Sequence, residues 1–355
     1  MITADPVREV LEFARWSPSG DNTQPWRFER TGPLSFRIHG HDTREHCVYD
    51  LDGRPSQISI GAMVETAAIA ASRHGLSLNV RHDERSPETQ PRLEVDLTPD
   101  SATQPSPWLA AVPRRSVNRF PYTTQPLSAL QKRAMQDAAG DGWTLRWYES
   151  MTARWAWARY LWRNAGLRLT LPEAFETHRN IIDWHARWSN IRLPDQALGA
   201  SAATLKLMRW AMVSWDRIAF MNRWMGGTLT PRLEMDLLPA LRCAAHFVLA
   251  AERPPQYLMD YVNAGRAIQR VWLCATTLGL VHQPAVTPLV FSRYVREGRR
   301  FSSIPTCEAL ARSIEEGGRQ LMGDLAPRAV WIGRIGHAPQ TAARSLRRPL
   351  DELLR

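Results

Sequence analysis

The chain has 355 residues with 44% hydrophobic content, which fits a folded cytoplasmic protein with one large core or two smaller ones, and no run of about 18 uncharged apolar residues points to a membrane span. Net charge is +10, carried by arginine apart from Lys132 and Lys206, a composition that suits anions without naming a partner. The four cysteines (Cys47, Cys243, Cys274 and Cys307) form no CxxC pair and the N-terminus lacks a basic-then-apolar order, so a disulfide framework, a thiolate zinc site and a secretory signal are not expected.

Asp5 and Pro6 read as the N-cap and first residue of a helix carried by Val7, Val10, Leu11 and Ala14. The polar segment Ser17 to Gly20 ends it. A strand pair is expected after Trp26, with Leu34, Phe36 and Ile38 alternating. Gly61 to Gly75 reads as a second helix capped by Gly75, and Leu93, Val95 and Leu97 as a further strand. The Pro-, Ser- and Thr-rich stretch from Thr98 to Pro113 is the expected boundary, dividing the chain into residues 1–112 and 113–355.

The second unit opens with a helix over Leu127 to Ala139 and a strand over Thr144 to Tyr148. Helical sequence rich in Trp and Arg follows from Met151, with Trp155 and Trp162 expected on one buried face. Residues 172–239 read as a helical insertion or lid. The apolar run Leu238 to Ala251 is short enough for a buried helix; Val262 to Leu278 reads as a helix and Arg328 to Ile335 as a strand. Cys243 and Cys274, in apolar helical stretches, read as core fillers. GAMVETAAIAASRHGLSL from Gly61 and GRAIQRVWLCATTLGLVH from Gly265 share their opening glycines, Ala71 with Ala275, Gly75 with Gly279 and Leu76 with Leu280 at one offset. Two glycine-capped amphipathic helices can look alike by chance, but the helix-then-strand opening repeats as well, which favours duplication.

Three segments carry chemistry. WSPSGDNTQPWRF, Trp16 to Phe28, gathers backbone N–H groups, a hydroxyl and amides that could grip a flat heterocycle; the alternative is an ordinary polar loop. RRSVNRF, Arg114 to Phe120, could bind a phosphate or ribityl chain, or be a solvated basic linker. LRRPL, Leu346 to Leu350, could complete a phosphate site or be a basic tail.

Together these segments resemble the nitroreductase family, whose members carry an RRSxRxF-like start, a PSxxNxQPW-like loop and a basic pair near the C-terminus. Here residues 1–112 hold the loop without the start, while residues 113–355 hold the start and basic tail without the loop. These complementary losses, with DLDGR (Asp50 to Arg54) and the ending RIGHAP…RRPL, are similar to the fused, single-FMN, Acg-like branch. The resemblance implies an α+β nitroreductase-like fold of two pseudo-symmetric halves in one chain, with a lid, around one FMN. It implies that Pro18, Ser19, Gly20 and Asn22 contact the isoalloxazine, Arg114 and Ser116 the ribityl and phosphate, and Arg347 and Arg348 the phosphate. Asn118 stands where the family usually has a basic residue, which leaves two alternatives: Arg119 substitutes for it, or phosphate binding is weaker.

The implied activity is FMN-dependent oxidoreduction of a small or peptide-like substrate, with NAD(P)H as a possible electron donor and no catalytic side chain named, since the flavin itself carries hydride. The alternative is an FMN-sequestering protein with little nicotinamide-dependent turnover. A homodimer is compatible with family habit. Weaker readings are a metal at His39, His41, His46 and Cys47, with no metal the preferred expectation, and a polar site at His178, Asp183 and His185, read mainly as helix-surface groups. Another is nucleic-acid binding by Ala153 to Arg168, for which core packing is preferred. No GxGxxG or GxxxxGK[ST] occurs.

Overall fold

The computed structural model describes residues 5–355. Helix α1 (Pro6–Ala14) starts where the Asp5 carboxylate accepts from the Arg8 N–H at 3.2 Å, with Pro6 at the first position. Strands β1 (Trp26–Gly32) and β2 (Ser35–Gly40) form a hairpin, and Phe36 and Ile38 point into the core. Helix α2 (Arg54–Ser72) follows, then β3 (Leu76–His82) and β4 (Arg92–Pro99). The four strands pair antiparallel in the order β1-β2-β4-β3.

α2 begins well before Gly61, the start expected from sequence. Pro55 stands in its first turn, and the buried Asp50 carboxylate accepts from the Ser56 N–H at 3.1 Å and the Ser56 hydroxyl at 2.6 Å. The DLDGR segment therefore serves helix initiation, with Gly53 in the left-handed region (φ 73°). The early start escaped the periodicity because nearly every side of α2 is buried, leaving no polar stripe to mark a face.

The second set of elements comprises α3 (Ala129–Ala139), β5 (Trp143–Tyr148), α4 (Met151–Thr170), α5 (Pro172–Ile181), α6 (Ala202–Ala211), α7 (Trp215–Trp224) and β6 (Ala245–Ala251). Then come α8 (Leu258–Thr277), β7 (Val281–Pro284), α9 (Thr287–Arg296), α10 (Pro305–Met322) and β8 (Ala329–Gly336). These strands also pair antiparallel, in the order β5-β6-β8-β7.

The apolar run expected as a buried helix over 238–251 is one helical turn, Leu238–Leu241, and then strand β6. β6 lies between β5 and β8 and is buried on both faces, so it lacks the alternation that marks a half-exposed strand. Cys243 is buried at the approach to β6, outside any helix; Cys274 lies on α8. On α4 the buried tryptophan is Trp157, 1% exposed and stacked on His246 (centroids 5.4 Å, planes 8°). Trp155 is 47% exposed, and Trp162 instead carries the Arg232 guanidinium 3.9 Å from its ring centroid. The helix turns its stripe through Arg154, Trp157, Ala158 and Leu161, so the seven-residue tryptophan spacing selected the wrong face.

α2 and α8 cross at backbone contact. A Cβ on Gly61 would lie 1.9 Å from the Val262 carbonyl oxygen, and one on Gly265 would lie 1.9 Å from that of Ile58. Only glycine permits this approach at either position.

The chain's end returns to the first sheet. The Phe28 N–H donates to the Leu353 carbonyl, and the Arg355 N–H to the Phe28 carbonyl, both at 2.8 Å. Leu350 and Leu353 pack into the core of β1, β2 and α2. The division at residue 112 therefore does not describe the last residues, whose packing lies with residues 1–112. Between β5 and β6, residues 182–194 carry two short parallel pairings, one of which joins Trp188–Ser189 to Arg344–Ser345. No helix among the described residues is long and apolar enough to cross a membrane.

Candidate functional site

One cavity of about 330 Å³ gathers the chemistry, a size suited to a small-molecule ligand. Its walls come from the Pro18–Asn22 loop, the first half of α2, the segment Arg115–Arg119, α8, the tail Arg344–Arg347 and residues of the stretch between β5 and β6. The second sheet, through β7 and β8, and the α2–α8 crossing thus bring distant segments to one place.

The loop after α1 is conformationally strained. Asp21 (φ 51°), Asn22 (φ 62°) and Gln24 (φ 51°) all occupy the left-handed region. Asp and Asn tolerate it; Gln24 pays on the order of 1 kcal/mol. The Gln24 side chain offsets this by donating to the Asn190 carbonyl at 2.8 Å and accepting from the Arg348 N–H at 2.9 Å, while its own N–H donates to the Ser19 hydroxyl at 3.0 Å. The Asn22 amide donates to the Arg192 carbonyl at 3.3 Å. Its oxygen Oδ1 is buried with no partner. A buried acceptor left open on a cavity wall calls for a donor from a ligand.

Of the residues singled out from sequence, Pro18, Ser19, Gly20, Asn22, Ser116, Arg119 and Arg347 line this cavity. Arg114 and Arg348 do not. Arg114 is exposed and donates to the Ala110 carbonyl at 3.0 Å, and Arg348 turns to Glu352 at 3.1 Å. The neighbours Arg115 and Arg344 line the cavity in their place. The arginine run brings one cation, Arg115, to the cavity wall; which of two adjacent side chains faces inward depends on the turn at Ala111, whose carbonyl receives the Arg115 N–H at 2.8 Å.

Arg115, Arg344 and Arg347 form the positive end of the site. Arg115 is 4% exposed, with its guanidinium 4.7 Å from the Trp272 ring centroid and Nη2 donating to the Trp16 carbonyl at 3.0 Å. Arg347 donates to the Ser17 carbonyl at 2.7 Å, and Arg344 to that of Pro113 at 2.7 Å. The Nε atoms of Arg115 and Arg344 are buried without a partner. Burial, and then the charges of Arg347 and Arg344, hold the Arg115 guanidinium well below the usual arginine range; burial, Arg344 and Arg15 push Arg347 down to about 9. Among the described residues none of the three has a carboxylate within ion-pair distance. Buried cations without counter-charge are costly, and an oxyanion removes that cost.

A second group of charges lines the same cavity. Arg168 pairs with Asp236 at 2.9 Å, and burial lowers Arg119. Arg334 is buried and lies 3.8 Å over the Tyr122 ring centroid. Burial raises the Asp21 carboxyl to about 6, opposed by Arg119, reinforced by Asp50 and opposed by Arg168. Asp21 and Arg344 were not singled out in the sequence, though Asp21 stands inside the loop motif.

His178, expected on a helix surface, is half-buried and meets the Tyr49 hydroxyl at 2.9 Å; desolvation, and then the charge of Arg168, push its value down to about 3 and hold it neutral. His185 does not line the cavity and meets Arg209 at 2.6 Å. His39, of the weaker metal reading, is bonded to Glu29 at 2.7 Å.

No family model matches the chain. It is similar to a protein of Mycobacterium tuberculosis provisionally named an NAD(P)H nitroreductase, with 27% identity over 298 residues, covering 82% of this chain and 78% of that protein. It is also 25% identical over 354 residues to an uncharacterized protein of the same organism, covering 97% of this chain and 47% of that protein. Among solved structures, a nitroreductase-like family protein from Bacillus cereus aligns with 12% identity and a TM-score of 0.34, over 70% of this chain and 94% of that one. The FMN-dependent nitroreductase NfnB from Mycobacterium smegmatis, solved with NADPH, aligns with 15% identity and a TM-score of 0.35, over 69% and 95% of the two chains.

Proposed function

We propose that the protein is an FMN-dependent oxidoreductase of the nitroreductase-like kind, taking electrons from NAD(P)H and passing them to a small-molecule acceptor in the cytoplasm. The observation that carries this reading is the cluster of Arg115 and Arg347, both buried, with the half-buried Arg344, all without counter-charge beside a strained, amide-bearing loop in one cavity. FMN has the matching parts: a phosphate for the arginines and a ring edge that both donates and accepts for the loop. The open acceptor at Asn22 Oδ1 and the open donor at Arg115 Nε fit that division of groups. The name borne by the relative from Mycobacterium tuberculosis supports the same activity.

In this reading Arg115, Arg344 and Arg347 hold the phosphate, with Ser116 beside them, and Pro18, Ser19, Gly20 and Asn22 hold the isoalloxazine. Trp272 and Ile268 from α8 supply an apolar wall. Bound FMN supplies hydride acceptance and donation; the protein orients the ring, neutralises the phosphate and limits water. Arg119 belongs with the second charge group, toward the substrate end.

The chain reads as two pseudo-symmetric halves around a single site. The matching strand orders, β1-β2-β4-β3 and β5-β6-β8-β7, support this, as does the reciprocal contact of Gly61 with Val262 and Gly265 with Ile58. In this reading one chain is sufficient for a complete site, and a homodimer is compatible with it. Residues 172–239 serve as a lid: Leu193, Ala197, Leu198, Met235 and Asp236 wall the cavity, and the loop's Asn22 and Gln24 are tied to residues 190–192. That tie favours a second reading, FMN sequestration beneath a closed lid. Anaerobic addition of NADPH or NADH to the yellow protein separates the two. Rapid bleaching is expected for the oxidoreductase, while a flavin left oxidised by both donors would refute nicotinamide-driven turnover and favour sequestration.

A further inference from the structure

Asp21 lines the cavity in the middle of the strained loop, and no hydrogen bond or ion pair among the described residues engages its carboxyl. The other carboxylates nearby are occupied. Asp50 accepts from Thr43 at 2.8 Å and Ser56 at 2.6 Å, and Asp236 pairs with Arg168 at 2.9 Å. A half-buried carboxyl without a partner, on the cavity wall and on the loop assigned to the isoalloxazine, is open to the reacting molecule. The charged and titratable groups facing it are Arg119, Arg168 and Asp50, with Cys47 and Tyr49 from the segment before α2.

We propose that Asp21 is a catalytic proton donor, its carboxyl delivering a proton to the acceptor as that acceptor is reduced. This rests on the oxidoreductase reading above. A two-electron acceptor such as a quinone gains a hydride, whose electrons derive from the reduced nicotinamide, and one proton. The new O–H bond forms on the acceptor as the Asp21 O–H bond breaks. The electron pair stays on the carboxylate, which Arg119 and Arg168 stabilise until water reprotonates it. Burial keeps a useful fraction of Asp21 protonated near neutral pH.

The test compares the native holoprotein with Asp21→Asn, which retains the left-handed preference of the position. Pre-reduced protein is mixed with menadione and its reoxidation followed, and infrared spectra of the oxidised protein are taken across the pH range around 6. The expected results are a reoxidation rate about 100-fold lower in the Asn variant, loss of its pH dependence, and loss of one carboxylic-acid band that titrates in the native protein near pH 6. A yellow Asn variant reoxidised at the native rate overturns this proposal alone, as does a native spectrum with no band that the substitution removes. A protein that takes up no FMN overturns the cofactor reading and this proposal together.

Discussion

Replacing Arg347 or Arg115 with methionine keeps most of each side chain's apolar stem and removes its charge. Each guanidinium is buried without a carboxylate, so a phosphate would be its counter-ion. A charge-assisted hydrogen bond contributes about 1.5–3 kcal/mol, and every 1.4 kcal/mol is tenfold in affinity, so each substitution should weaken FMN binding by about 10- to 100-fold. Riboflavin carries the same ring without the phosphate and should lose little. Arg114→Met and Arg348→Met serve as controls, because those side chains face Ala110 and Glu352. Fluorescence titration of apoprotein with FMN and riboflavin reads all eight combinations. Controls that cost as much as Arg115 and Arg347, or riboflavin weakened as much as FMN, would mean that these arginines do not hold the phosphate.

Two further outcomes follow from packing and burial. Gly61→Ala places a Cβ 1.9 Å from a backbone oxygen at the α2–α8 crossing, so it should destabilise the fold by at least about 3 kcal/mol, read as a lower denaturant midpoint; an unchanged midpoint would mean the helices are not in backbone contact. Asp21 is raised to about 6 from 3.8, so its ionised form is disfavoured in the folded state and the penalty is present above pH 6 and absent below 3.8. Asp21→Asn should therefore stabilise the protein by about 1–2 kcal/mol at neutral pH, discounted for partial exposure, with the gain vanishing below about pH 4; a gain independent of pH would refute the burial argument.

Features that depend on neighbours in sequence were legible before the structure: the Asp5 cap, the β1–β2 hairpin, the glycine-ended helices and the loop motif. Features that depend on what covers a segment were not. β6 looks helical because both of its faces are buried, and α2's start was hidden because a helix buried all round has no stripe. Helices α9 and α10 were not anticipated. At the site, the sequence placed arginines in two short runs, and the inward member of each pair was settled by backbone turns that composition does not encode. Asp21 sat unremarked between Gly20 and Asn22 because its significance lies in having no partner, which only three dimensions reveal.

The central claim is a single FMN held in one cavity, and titrating apoprotein with FMN while counting bound flavin per chain tests it most directly. The account predicts a yellow protein saturating at one FMN per chain, with uptake impaired by Arg347→Met. A chain that stays colourless at saturating FMN, or one that binds two flavins, would contradict it.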